Sequence, residues 1–172
     1  MKNEALLLID IQDVYFTPGP YLLHNPCEAA DKASVVLEKF REEGKTVVHI
    51  RHDFKMFSNI HKKVSPLQTE KVILKKYPSS FLETDLQEYL KSQNIEKLVV
   101  AGMMSHMCVD TTVRACQNYG YDVTVIEDAC TTMDLTFQGR KRKASDVHDT
   151  FMASLDGMFA KVVNLEQYLK ES

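Results

Sequence analysis

The sequence predicts a three-layer, doubly wound α/β sandwich, in which a mostly parallel six-stranded sheet is flanked by helices. Short, almost wholly apolar runs alternate along the chain with longer amphipathic stretches. Strands that helices cover on both faces are apolar throughout, and strands separated by helices pair in parallel through right-handed crossovers. The length of 172 residues fits one domain over residues 1–172.

The predicted strands are runs rich in aliphatic and β-branched residues, which pack well on a pleated surface. Helices are predicted where apolar residues recur at a spacing of three or four. Ser79 and Ser80 are interpreted as caps of the second helix, and Gly44 and Gly120 as the stops of the first and third. The strands are predicted at 5–9, 46–50, 71–74, 98–101, 122–126 and 161–163, and the helices at 27–43, after 80, at 109–119 and at 143–158.

The composition excludes several classes of protein. A formal net charge of −3 gives no electrostatic footprint for nucleic acid or an anionic membrane. The basic run 139–143 has no interleaved aromatic residue for base stacking, so it is interpreted as a solvated loop and first helical turn. No apolar stretch approaches the ~20 residues of a membrane span, and residues 1–9 lack the pattern of a signal peptide.

The four cysteines are predicted to be free thiols. No two of them form a Cys-x-x-Cys pair, which argues against a zinc knuckle or a thioredoxin-like site. Free thiols and the lack of an export signal predict a cytoplasmic protein. Cys27 is expected to lie at the start of a helix and Cys116 in the core.

Asp10, Lys75 and the loop from Gly102 to Cys108 lie at or just beyond the carboxyl ends of predicted strands, where doubly wound folds bind their ligands. Cys108 precedes a predicted helix whose dipole would lower the pKa of its thiol; the alternative is a small buried hydrophobe. Lys75 would stabilise a thiolate or pair with a carboxylate, unless it and Lys76 are two solvated lysines. Asp10 would accept the thiol proton, unless it is a turn or cap residue.

Three stretches in order resemble the isochorismatase-like cysteine hydrolases, a superfamily that includes nicotinamidases, N-carbamoylsarcosine amidohydrolases and isochorismatases. They are Leu-Leu-Ile-Asp-Ile-Gln at 7–12, Lys-Lys-Tyr-Pro-Ser-Ser-Phe at 75–81 and Gly-Met-Met-Ser-His-Met-Cys-Val at 102–109. The resemblance covers nearly the whole chain.

The resemblance implies a catalytic triad of Asp10, Lys75 and Cys108. Cys108 would attack the carbonyl of a small amide, imide or carbamoyl compound, Asp10 would shuttle the proton, and Lys75 would stabilise the ionised pair. The backbone N–H groups of Met104 and Cys108 would hold the oxyanion, with a cis peptide bond between Met103 and Met104. The implied substrate-binding residues are Tyr15, Phe16 and His106.

The resemblance also bears on cofactors and partners. Nicotinamidases in the superfamily carry a metal site on an Asp-x-His pattern, whereas this chain has His52 followed by Asp53, with His61 beyond. No metal and no cofactor are therefore predicted, and His52 and His61 are interpreted as residues of a solvated loop. The expected partners are a small-molecule substrate and further copies of the chain, in a homodimer or homotetramer, with neither nucleic acid nor membrane.

Three alternatives stay open. The domain would be a non-catalytic binding or scaffold module if its triad were inactive, since fold does not fix function. It would be an isochorismatase if it cleaved a vinyl ether, although those enzymes have glycine where Cys108 stands. Cys108 and Arg114 match the Cys-x-x-x-x-x-Arg spacing of cysteine-dependent phosphatases, but no glycine lies between them, and Arg114 is predicted to pair with Asp110 at i, i+4.

Overall fold

The computed structural model describes residues 3–171, so residues 1, 2 and 172 of the predicted domain lie outside the described residues. Its strands are β1 (Glu4–Ile9), β2 (Thr46–His52), β3 (Lys71–Lys75), β4 (Lys97–Met103), β5 (Asp122–Thr131), β6 (Leu135–Phe137), β7 (Arg140–Arg142) and β8 (Lys161–Val163). Six of them form the main sheet, paired in parallel throughout, in the order β3-β2-β1-β4-β5-β8. The predicted fold class is confirmed.

Helices cover both faces of this sheet in the described part of the chain. They are α1 (Pro26–Glu42), α2 (Leu86–Ser92), α3 (Asp110–Asn118), α4 (Ala144–Leu155) and α5 (Leu165–Glu171). Leu6 and Leu8 of β1 belong to the core formed with α1 and α5, whereas Leu7 and Ile9 belong to the core formed with α2, α3 and α4. Successive strand residues point to opposite faces, so the apolar run of β1 fills both cores.

The second helix begins later than predicted. α2 starts at Leu86 behind Asp85, so the interpretation of Ser79 and Ser80 as its caps is wrong. Ser80 is instead buried against α3, where its backbone N–H donates to the Thr112 hydroxyl at 3.0 Å and the two hydroxyls lie 2.9 Å apart. Ser80 therefore ties the segment that follows β3 to the helix that follows β4.

The basic run 139–143 is exposed throughout, as predicted, but the interpretation of its central residues as a loop and helical turn is wrong. Arg140–Arg142 is β7, which pairs antiparallel with β6 and is exposed at every residue. A strand of three charged residues has no alternation of apolar and polar side chains, so the sequence gives no signal for it.

α5 is also absent from the predicted helices. Among residues 3–171, no helix combines the length and the apolar character that crossing a bilayer requires.

The order of strands along the sheet reverses between β1 and β4. A doubly wound sheet opens a crevice outside the carboxyl ends of its strands at such a point. Asp10 directly follows β1, Lys75 ends β3, and Met103 ends β4. The three chain segments singled out from the sequence therefore approach one another at this edge.

Gly102 is the residue at which β4 comes closest to β1. Its φ is +142°, and a Cβ there would overlap the Ile9 carbonyl oxygen and lie 2.8 Å from the Ile9 nitrogen. Glycine alone tolerates both constraints. We expect Gly102→Ala to lower the free energy of unfolding by about 3 kcal/mol or more, measured from urea unfolding midpoints.

Gly44→Ala is the matched control for this variant. Gly44 also has a positive φ, of +63°, but nothing lies within 4 Å of a Cβ built on it. Its replacement is expected to cost only about 1 kcal/mol, the penalty for a left-handed alanine. Equal losses for the two variants would contradict a steric role for the approach of Gly102 to Ile9.

Candidate active site

Asp10, Lys75 and Cys108 meet in a buried cluster at the carboxyl ends of the strands. The Lys75 Nζ lies 2.7 Å from Asp10 Oδ2 and 3.1 Å from Cys108 Sγ. The side chains of Lys75 and Asp10 are fully buried, and Cys108 is 5% exposed. Of the two adjacent lysines only Lys76 is exposed. The proximity predicted from the sequence is confirmed, and the alternative of two solvated lysines is wrong.

The cluster contains one cation and two acidic groups, so the ammonium balances a single negative charge. Burial raises the pKa of Asp10, and the nearby Lys75 opposes the shift. Burial, and then the charge on Asp10, raise the pKa of Cys108 to about 12, again against the effect of Lys75. The expectation of a lowered pKa for this thiol is therefore wrong. One proton can pass between Cys108 and Asp10 without changing the net charge of the cluster.

His52 is a further member of the cluster, and its interpretation as a solvated loop residue is wrong. It ends β2 in register with Lys75, and its Nδ1 lies 3.1 Å from the Lys75 Nζ. Burial, and then the charge on Lys75, lower the pKa of His52, so its neutral ring accepts a hydrogen bond from the ammonium. A strand prediction extended from residue 50 to residue 52 would have paired it with Lys75.

Two groups that sequence reasoning missed hold the cluster in place. The Gln12 side-chain amide donates to the carbonyls of His52 at 3.0 Å and Ser58 at 2.6 Å, and its oxygen accepts from the His52 backbone N–H at 2.7 Å. The carbonyl of Tyr77 lies 3.1 Å from the Lys75 Nζ. The Gln12 contacts depend on the meeting of separate chain segments, for which no local sequence pattern exists, whereas Tyr77 lies only two residues from Lys75 in the chain.

Cys108 lies on a π-helical turn, Ser105–Val109, which we call the nucleophile turn and which leads into α3. The peptide bond between Met103 and Met104, just before it, is cis, as the family resemblance implies. The Met104 carbonyl accepts the backbone N–H of Met107 at 3.0 Å, which closes the start of the turn. Such wide turns within helices are frequent at functional sites.

Tyr15 and Phe16, two of the predicted substrate-binding residues, are buried members of the segment that follows β1. Tyr15 packs edge to face on Phe54, with ring centroids 5.7 Å apart, and burial followed by the charge on Asp10 raises its pKa. Phe16 stacks on His61 with ring centroids 3.8 Å apart. His61 is itself buried, so its interpretation as a solvated loop residue is also wrong.

His106, the third predicted substrate-binding residue, is half-buried on the nucleophile turn. Its Nδ1 is hydrogen-bonded to the Thr132 hydroxyl, and its ring packs edge to face on Phe151 with centroids 5.9 Å apart. Burial lowers the pKa of His106, which favours the neutral ring. The side chain is therefore fixed between the turn and the segment that follows β5.

The residues of the site do not fit a metal ion. The ligand atoms of Asp10, His52 and Cys108 lie within 4.8 Å of one another and form the one group of this kind between residues 3 and 171. The Lys75 ammonium, however, contacts all three of them, so a cation already stands among the atoms that would bind a metal. His61 lies outside this group of ligand atoms, and its Nδ1 accepts a hydrogen bond from the Lys63 backbone N–H at 3.4 Å.

The phosphatase alternative is wrong, because the residues after Cys108 continue into α3 instead of forming a phosphate-binding loop. Arg114 donates two hydrogen bonds to Asp110, at 2.9 and 3.0 Å, as predicted.

The thiols of Cys27 and Cys116 also lie where the sequence predicts them. Cys27 is exposed at the start of α1, and Cys116 is buried in the core.

Known proteins and solved structures resemble this chain over nearly its whole length. The family model described as the isochorismatase domain matches residues 4–167. The chain is 43% identical to the isochorismatase family protein YddQ of Bacillus subtilis, over 98% of this chain and 99% of that one. It is 23% identical to the maleamate amidohydrolase of Pseudomonas putida, over 99% of this chain and 87% of that one. The crystal structure of an isochorismatase hydrolase from Oleispira antarctica has a TM-score of 0.94 at 37% identity, covering 98% of this chain and 97% of that one.

Proposed function

The chain belongs to the isochorismatase family of hydrolases, and from this membership we propose that it hydrolyses a C–N bond of a small amide, imide or carbamoyl-type substrate through an acyl-enzyme on Cys108. The observation that carries the proposal is the contact of one buried ammonium, that of Lys75, with both Asp10 and Cys108. Covalent catalysis requires a nucleophile, a base within reach and a group that orients them, and these three residues supply those roles.

In the first half-reaction the Cys108 thiol gives its proton to the Asp10 carboxylate as the sulfur attacks the substrate carbonyl. The raised pKa of Asp10 suits it to hold that proton. The carbonyl electron pair moves onto oxygen, and its return breaks the C–N bond while Asp10 delivers the proton to the departing nitrogen. The Lys75 ammonium balances the negative charge of the reaction, which passes from the Asp10 carboxylate to the Cys108 sulfur and then to the carbonyl oxygen of the substrate.

In the second half-reaction water attacks the thioester and Asp10 takes the proton that it releases. The C–S bond breaks, the proton returns to Cys108, and the acid product leaves. In both halves the backbone N–H groups of Met104, just before the nucleophile turn, and of Cys108, within it, would stabilise the oxyanion. Tyr15, Phe16 and His106 would form walls of the substrate site.

The rival functions explain the buried cluster less well. A binding module has no use for three buried ionisable groups, whose desolvation costs stability. A vinyl ether hydrolase needs no nucleophile, so the contact of Lys75 with the sulfur would serve no purpose. The similarity to a maleamate amidohydrolase supports a C–N substrate. Assembly into a homodimer or homotetramer, and a cytoplasmic location, stay predictions.

The proposal is tested with a panel of nicotinamide, maleamate, ureido and carbamoyl compounds assayed for ammonia release. We expect the wild type to hydrolyse at least one class and Cys108→Ala to hydrolyse none of them. Ammonia release from none of these compounds, or equal ammonia release by the two proteins, would contradict the proposal.

A further inference from the structure

Ser105, the first residue of the nucleophile turn, is joined to solvent through a chain of two further side chains. Its hydroxyl oxygen lies 2.7 Å from Nδ1 of His148, on α4, and Nε2 of His148 lies 3.5 Å from a carboxylate oxygen of Glu127, on β5. Ser105 is fully buried, whereas the side chains of His148 and Glu127 are 15% and 37% exposed. The mechanism proposed above makes no use of these three groups.

The carboxylate of Glu127 lies beside Nε2 of His148 and not beside Nδ1, which faces Ser105. Glu127 favours the proton on Nε2, which leaves Nδ1 as a hydrogen-bond acceptor. Ser105 then donates its hydroxyl proton to His148, and this bond fixes the orientation of the serine side chain. A fully buried hydroxyl without a hydrogen-bond partner destabilises the folded protein. Loss of the His148 acceptor would therefore make the start of the nucleophile turn rearrange.

We propose that His148 is a positioning residue, which acts through Ser105 to hold the Cys108 sulfur at Lys75 and in line with the substrate carbonyl. Ser105 and Cys108 are linked directly, because both belong to the short turn Ser105–Val109. The inference rests on the proposed function, since it concerns nucleophilic attack. His148 itself need not touch the substrate.

The position of His148 allows a clean substitution. Its side chain borders a cavity of about 250 Å³, shared with Cys130, so a smaller group there opens onto existing space and is expected to be tolerated. Asparagine and leucine have nearly the same size, but only asparagine places a polar acceptor where histidine has Nδ1. His148→Asn and His148→Leu therefore separate the hydrogen bond from the packing.

The experiment measures acylation with p-nitrophenyl acetate, an activated ester whose attack by a nucleophile releases p-nitrophenolate. We expect His148→Leu to lower the acylation rate constant by about tenfold to a hundredfold, the size of effect that a misplacement near 1 Å causes. His148→Asn should retain most of the wild-type rate. Ser105→Ala should match His148→Leu, and the double variant should be no slower than either, because both changes remove one and the same bond.

Equal rates for His148→Asn and His148→Leu would overturn the proposal, and so would a double variant whose loss is the product of the two single losses. The wild type and Cys108→Ala are compared first. If they release p-nitrophenolate equally, the proposed function fails and the inference falls with it. If the wild type is acylated and the His148 variants are acylated as fast, the inference alone fails.

Discussion

Cys108→Ala is expected to abolish hydrolysis, with kcat/KM at least about 10⁴-fold below that of the wild type. Without the sulfur no acyl-enzyme forms, and the oxyanion donors alone retain only residual catalysis. Cys108→Ser should lose nearly as much, because a carboxylate such as that of Asp10 is a poor base for a hydroxyl. The measurement is ammonia release from whichever compound of the panel the wild type hydrolyses.

Cys116→Ala is the matched control for the loss of Cys108. Burial raises the pKa of Cys116 to about 12 as well, but this thiol lies in the core and not in the cluster with Lys75. Its removal should lower the melting temperature and leave kcat/KM close to the wild-type value. Wild-type turnover by Cys108→Ala would refute the nucleophile assignment.

Asp10→Asn and Lys75→Met are expected to lose activity alike, by about 10²- to 10⁴-fold, yet to shift the pKa of Cys108 in opposite directions. The charge on Asp10 raises that pKa and the charge on Lys75 lowers it. Asp10→Asn should therefore lower the pKa and increase the thiolate fraction at a given pH, whereas Lys75→Met should raise the pKa and decrease that fraction. An inactive Asp10→Asn enzyme with a more reactive thiol would separate proton transfer from nucleophile activation.

These shifts are measured from the rate at which iodoacetamide alkylates Cys108 between neutral and alkaline pH, followed by peptide mass analysis. Thiolate is the reacting species, so a lowered pKa moves the rate profile to lower pH. Lys76→Ala is the control, because Lys76 is exposed beside Lys75 and its removal should leave both the profile and the activity unchanged. Slower alkylation of Asp10→Asn would contradict the claim that the charge on Asp10 raises the pKa of Cys108.

The three central residues could be predicted from the sequence because parallel strands place their carboxyl ends at one edge of a sheet. Asp10 and Lys75 each follow or end an apolar run, and Cys108 lies in the loop after the fourth strand. The predicted strand ends therefore suffice to predict that these side chains lie close together, even though Lys75 and Cys108 are 33 positions apart in the chain.

The remainder of the site depends on contacts that no local pattern encodes. The sequence predicts that β2 ends at residue 50, two residues before its observed end, and therefore predicts a loop position for His52. Ser80 resembled a helix cap, whereas its partner is Thr112 on another helix. The raised pKa of Cys108 follows from burial and from the charge on Asp10. Both effects follow from tertiary packing, which the position of Cys108 before a helix does not reveal.

The central claim is a covalent acyl-enzyme on Cys108, and acid-quenched mass spectrometry tests it most directly. The protein is mixed with p-nitrophenyl acetate, quenched within the first turnover, digested and analysed for acetylated peptides. The account predicts one acetyl group per chain, on the peptide that contains Cys108, and none in Cys108→Ala. Acetylation of a different residue by the wild type, or equal acetylation of the two proteins, would contradict it.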